Sequence, residues 1–97
     1  MWVEINGTSL MGRVEADYAE LVRAFGEPNS EGDTTKSDAE WAWQFEDGTV
    51  ATIYNWKNGK NYCGEYGQEV ENIKNWNIGG ISQHAVECVL YRLGRRY

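Results

Sequence analysis

The stretch AEWAWQFEDGTVATIYNW, residues 39–56, constrains the fold of this chain more than any other. Two runs of alternating residues flank Asp47-Gly48, a dipeptide that tolerates the positive φ angles of a tight hairpin turn. A two-residue type I′ turn there places Glu46 opposite Thr49. Counting outward, Phe45 then faces Val50, Trp43 faces Thr52, Trp41 faces Tyr54 and Ala39 faces Trp56. That register gathers the aromatic residues on one face and leaves Glu46, Gln44, Ala42, Glu40 and Asp38 on the other. An aromatic face of this size is expected to pack against helices, with an exposed stacking platform for rings as the alternative. The acid-bearing face is expected to be the solvated one.

The rest of the chain supplies such helices. Tyr18, Leu21, Val22 and Phe25 recur at i, i+3, i+4 and i+7, one apolar helical face. Asp17 stands at its N-cap with Glu20 three residues on, a capping-box spacing, while Gly26 and Pro28 end it. Ala85, Val86, Val89, Leu90 and Leu93 give a second helix its face, with Ser82 as its cap and Gly94 closing it. Residues 2–5 and 10–16 read as two short strands around Asn6-Gly7, with Gly12 marking a bulge or a close backbone approach. Residues 57–72 read as a long ordered loop or irregular hairpin. Residues 73–78 read as a further strand, broken by Gly79-Gly80. The expected fold is a single α+β domain over residues 1–97, with an antiparallel sheet of about four to five strands and two helices, in the order β-β-α-β-β-β-α.

Charge is unevenly distributed. The net charge is −6 from 15 acids and 9 Lys and Arg. Glu15, Asp17, Glu20, Glu27, Glu31, Asp33, Asp38, Glu40, Glu46 and Asp47 are opposed between residues 15 and 47 by Arg23 and Lys36 alone, whereas Arg92, Arg95 and Arg96 crowd the end. Such a field disfavours nucleic acid and favours proteins with basic grooves. Thirteen aromatic residues, five of them Trp, are too many for a disordered chain. The start has neither a basic n-region nor a long apolar run, so the expected location is the cytoplasm, with no membrane partner. Cys63 and Cys88 are then expected to be reduced thiols.

Few residues point to chemistry. His84 and Cys88 are four apart on the second helix, a spacing that places two ligands on one metal, and Cys63 offers a third. No CxxC or second His completes a set of four, so no metal and no cofactor are implied. Catalysis at His84 needs a nucleophile and an orienting carboxylate. Ser82 and Glu87 are near in sequence, but their spacing does not amount to a catalytic geometry, and no enzyme is expected. Gly79-Gly80 before a helix lacks the rest of a phosphate-binding motif. Arginines in RLGRRY suit the C-terminal end of the last helix better than nucleic acid. What remains is the acidic surface: Asp38 and Glu40, two apart on a strand, stand about 6.6 Å from each other. Glu15, Asp17, Glu20, Glu27, Glu31 and Asp33 extend the acidic run as expected partner-binding residues.

NGTSLMGRVEADYAELVRAFGEP, AEWAWQFEDGTVATIYNWKNGKNY and WNIGGISQHAVECV together cover nearly the whole chain. In these motifs the sequence resembles a family of short phage and prophage proteins. In length and charge it is similar to anti-CRISPR proteins that inhibit the type I-F surveillance complex. The resemblance implies a phage-encoded inhibitor in the host cytoplasm, a monomer or weak dimer. It would present carboxylates as a DNA mimic and occupy a basic nucleic-acid groove, without turnover, cofactor or direct nucleic-acid binding. The alternative is a small phage structural or regulatory module that binds protein through the aromatic hairpin face.

Overall fold

A computed structural model of the chain describes Ile5 and residues 7–95. The expected strand at residues 2–5 falls almost wholly outside that range, as do Asn6 of its turn and Arg96 of the basic tail. The described elements are β1 (Ser9–Glu15), α1 (Tyr18–Phe25), β2 (Glu40–Gln44), β3 (Val50–Tyr54), the one-turn helix α2 (Lys60–Cys63), β4 (Asn75–Gly80) and α3 (His84–Arg92). Two 3₁₀ turns, Gly64–Tyr66 and Val70–Asn72, follow α2 and fill the segment expected as loop. The fold is α+β: an antiparallel four-stranded sheet in the order β1-β4-β3-β2, with helices on one side.

The hairpin forms, but one residue out of the expected register. Gln44 pairs with Val50, Trp43 with Ala51, Trp41 with Ile53 and Glu40 with Tyr54. Phe45 N–H donates to Thr49 O (2.8 Å) and Gly48 N–H to Phe45 O (2.9 Å), so the loop is the three residues Glu46-Asp47-Gly48. Gly48 alone takes a positive φ, 88°, and Asp47 Oδ1 accepts from the Thr49 N–H at 2.9 Å. This three-residue hairpin needs one left-handed residue where a type I′ turn needs two, and aspartate is relieved of that strain. A one-residue slip exchanges the faces of a partner strand. Ala51 and Ile53, both fully buried, therefore join Trp41 and Trp43, while Tyr54 turns to the opposite face and lies 6.0 Å from the Trp56 ring.

The aromatic face of β2 does pack against helices. Phe25 of α1 meets Trp43 and Phe45 edge-on, at 5.3 and 6.4 Å, and Trp41 and Trp76 meet at 5.4 Å in the centre. Both buried indoles keep a partner, as buried Trp must. Trp41 Nε1 donates to Gly26 O at the end of α1 (2.7 Å), and Trp76 Nε1 to Ala16 O (3.0 Å). Leu21, Ile53, Ile73, Ile78, Val86 and Val89 complete the core.

Glycines at the sheet set how closely α3 approaches. Gly12 lies at the register shift between Leu10 and Gly12, and a Cβ there would press on Val86 Cγ2 at 3.0 Å, so the bulge and the close approach coincide. Gly79-Gly80 does not break β4 as expected. The pair ends the strand, facing Thr52 and Ala51 on one side and Leu10 and Ser9 on the other. A side chain at Gly79 would collide with Thr52 Oγ1, and one at Gly80 with Ala85 Cβ. These glycines allow close packing inside a sheet instead of a turn.

Helix starts differ from expectation in two respects. Asp17 is the N-cap of α1 but its carboxylate makes no cap hydrogen bond and pairs instead with Lys74 Nζ at 2.5 Å. Ser82 is not the cap of α3; Gln83 holds that position and sends its side-chain amide to Met11 O (2.9 Å) on β1. Gly26 and Gly94 close their helices at φ of 81° and 77° as expected.

Candidate functional site: a groove between the hairpin tip and the last helix

A concavity of about 1240 Å³ lies between the β2–β3 turn and α3. Alternation on β2 places Trp43 and Phe45 on its wall, half-buried, and α3 presents His84, Cys88 and Tyr91 from successive turns. Tyr91 is 85% exposed, a large ring with little covering it. Arg92 lies across the wall, its guanidinium 4.7 Å from the Trp43 ring and 5.5 Å from Phe25, with Nε donating to Ala24 O at 2.6 Å. Arg95 closes that end, bound to both oxygens of Glu20 at 2.8 and 2.9 Å.

The opposite end is acidic. Asp47, carried in by the three-residue turn, sets Oδ2 3.0 Å from His84 Nε2, and Glu87 Oε1 lies 2.8 Å from His84 Nδ1. The Thr49 hydroxyl and N–H, followed by His84, hold the Asp47 carboxyl down at about 2. Hydrogen bonds to Glu87 and then Asp47 raise His84 above its ordinary 6.5. The Cys88 thiol is pushed up, first by burial and then by the Asp47 charge, with Thr49 acting in the opposite direction. A raised thiol is the reverse of an activated nucleophile. With both ring nitrogens already facing carboxylates, the cluster is no Cys–His catalytic pair as it stands. Sequence spacing joined His84 to Cys88 and proposed Cys63 as a third partner. The fold brings Asp47 instead, and Cys63 points its sulfur at Lys57 O (3.3 Å). Both cysteines are free thiols.

The eight carboxylates expected to bind a partner are dispersed. Glu15, Glu27 and Glu31 are exposed and make no side-chain ion pair or hydrogen bond among the described residues. Asp17 pairs with Lys74 and Glu20 with Arg95, whose Nη2 also reaches Glu15 O at 2.9 Å. Asp33 folds into its own turn, accepting from the Thr35 hydroxyl (2.6 Å) and lying 3.7 Å from Lys36. Asp38 precedes β2 and is held internally by Asn55 Nδ2 (2.8 Å) and the Asn61 N–H (3.1 Å). Glu40 is 7% exposed and accepts from the Ser30 hydroxyl. Asp38 and Glu40 are therefore not the solvated, evenly spaced pair that strand geometry alone implied. Segment 29–30 lies along the edge of β2, where both N–H groups donate to Glu40 O at 3.1 Å and the Asn29 amide clasps Ala42, so that edge is covered.

No protein-family model, no curated protein and no solved structure matches the chain, so its function rests on the site itself. No helix among the described residues is long and apolar enough to cross a membrane.

Proposed function

We propose that this is a non-enzymatic binding protein that seats a basic, extended segment of a protein partner in the groove between the hairpin tip and α3. The supporting observation is the pairing of an aromatic wall, half-buried Trp43 and Phe45 with exposed Tyr91, with an acidic mouth at Glu46, Asp47 and Glu87. An aromatic wall takes the aliphatic stem of Lys or Arg and carboxylates take its head. The net charge of −6 draws such a partner in and makes encounter sensitive to salt.

A second reading keeps the DNA mimic: a phage anti-CRISPR protein that blocks DNA binding by a type I-F surveillance complex. Exposed Glu27 and Glu31, which pair with no cation among the described residues, favour it, since such carboxylates are the ones able to meet a phosphate-binding groove. One experiment separates the two. The protein is added to the surveillance complex before its double-stranded DNA target, and DNA binding is followed by mobility shift at two salt concentrations. Inhibition abolished by Glu27→Lys with Glu31→Lys but intact in Tyr91→Ala supports the mimic. The converse pattern supports the groove. If DNA binds normally in the presence of the wild-type protein, the CRISPR target is wrong. The groove reading then stands or falls on whether an arginine-rich peptide binds the wild type and not Tyr91→Ala.

A further inference from the structure

We propose that Asp47, His84 and Cys88 form a zinc site at the mouth of the groove. The inference does not rest on the partner-binding reading, although a bound zinc would engage Asp47 of the same acidic mouth. A carboxylate oxygen, an imidazole nitrogen and a thiol sulfur from two elements lie within 4.8 Å of one another. A tetrahedral zinc with bonds of about 2.0–2.3 Å holds its donors roughly 3.3–3.8 Å apart, so closing the set takes side-chain rotation of about an ångström. His84 and Asp47 are half-exposed and free to make it, with side chains 51% and 53% accessible.

Three features beyond proximity favour the metal. The donor set is mixed nitrogen, sulfur and oxygen, which suits zinc and suits magnesium or calcium poorly. Glu87 Oε1 lies 2.8 Å from His84 Nδ1, and a carboxylate on the second nitrogen is the device that fixes a metal-binding tautomer and leaves Nε2 for the ion. Asp47 is itself held by the Thr49 N–H through Oδ1, which leaves Oδ2 facing Nε2. Zinc takes the place of the Nε2 proton and of the Cys88 thiol proton, both released to solvent, and three protein donors leave one position for water.

Cobalt(II) and zinc(II) are the probes, added to the purified, reduced protein after treatment with a chelator. The wild type is expected to bind one equivalent of cobalt with a thiolate-to-metal charge-transfer absorption that zinc displaces. Cys88→Ser is expected to lose that absorption, and His84→Ala and Cys88→Ser each to weaken zinc binding about 100-fold. Glu87→Gln is expected to weaken it about 10-fold, as removal of an orienting partner does. Cys63→Ser is expected to bind as the wild type does. Circular dichroism of each variant shows that the fold persists, and Asp47→Asn, at an exposed turn, is the substitution least able to disturb it. Absence of saturable one-to-one binding, or equal binding by Cys88→Ser and His84→Ala, overturns the site. Loss of the absorption in Cys63→Ser in place of Cys88→Ser overturns it equally.

Discussion

Asn55 offers the sharpest test of how the acidic stretch is organised. Its side chain is fully buried at the end of β3. Oδ1 accepts from the N–H groups of Asp38 (2.8 Å) and Ala39 (3.1 Å), while Nδ2 donates to Asp38 Oδ1 (2.8 Å) and Asn58 Oδ1 (3.1 Å). Asn55 thus holds the chain where it enters β2 and turns the Asp38 carboxylate inward. Asn55→Ala leaves two backbone donors, one carboxylate oxygen and the Asn58 amide oxygen without their partner. Each orphaned buried group costs about 1–3 kcal/mol, and water entering the space recovers part of it, so a net loss of about 2–4 kcal/mol is expected. For a chain near 100 residues each kcal/mol moves Tm by about 4–8 °C, so the midpoint should fall by roughly 10–25 °C. Differential scanning calorimetry reads the shift, and urea titration of Trp fluorescence checks that unfolding stays two-state. Asn55→Asp keeps one acceptor but sets a second carboxylate against Asp38, so it should be worse at neutral pH than in mild acid. An Asn55→Ala protein within about 0.5 kcal/mol of wild type refutes the reasoning, since a change that small is what an uninvolved surface residue gives.

Two further outcomes follow from the same packing. Arg95 holds the Glu20 carboxyl below its ordinary 4.5, with the Asp17 backbone contributing. A depressed folded-state pKa means this pair's stabilisation is whole above pH 4.5 and is lost as pH falls through the lower, folded value. The difference in stability between wild type and Glu20→Gln in urea titration, on the order of 1 kcal/mol at pH 7, should therefore shrink progressively as pH falls below 4.5. Gly80→Ala drives a methyl into Ala85 and should cost about 1–3 kcal/mol by overpacking. In a double-mutant cycle Ala85→Gly should recover about 1 kcal/mol of it, and strict additivity would show that the two residues do not touch.

The parts of the fold that depend on neighbours in sequence were legible. The Tyr18-Leu21-Val22-Phe25 spacing, Gly26 and Pro28 define α1, and alternation around Asp47-Gly48 defines a hairpin. Its register was not legible, because Asp-Gly serves both a two-residue and a three-residue turn, and only packing decides that Ile53 and not Tyr54 belongs beside Trp41. Gly79-Gly80 looked like a break for a similar reason. Glycine signals either a turn or a crowded backbone, and the crowding comes from Thr52 and Ala85. At the candidate site, the four-residue spacing of His84 and Cys88 was visible, yet Asp47 is 37 residues from His84 in sequence and joins it through tertiary packing alone. The acidic run was read correctly as composition, but the placement of Asp38 and Glu40 depends on Asn55 and Ser30, which no local pattern links to them.

The strand order carries a consequence for synthesis. Among the described residues β1 pairs with β4 alone, and the indole of Trp76 reaches back 60 residues to Ala16. The β2–β3 hairpin can close as soon as it leaves the ribosome. At about 5–20 residues per second, β1 waits some 3–12 s for the strand that completes it. During that interval Val14 and the bare edge of β1 are open to other chains, and the joining of the two ends of the sheet becomes the late, slow event that long-range pairing imposes.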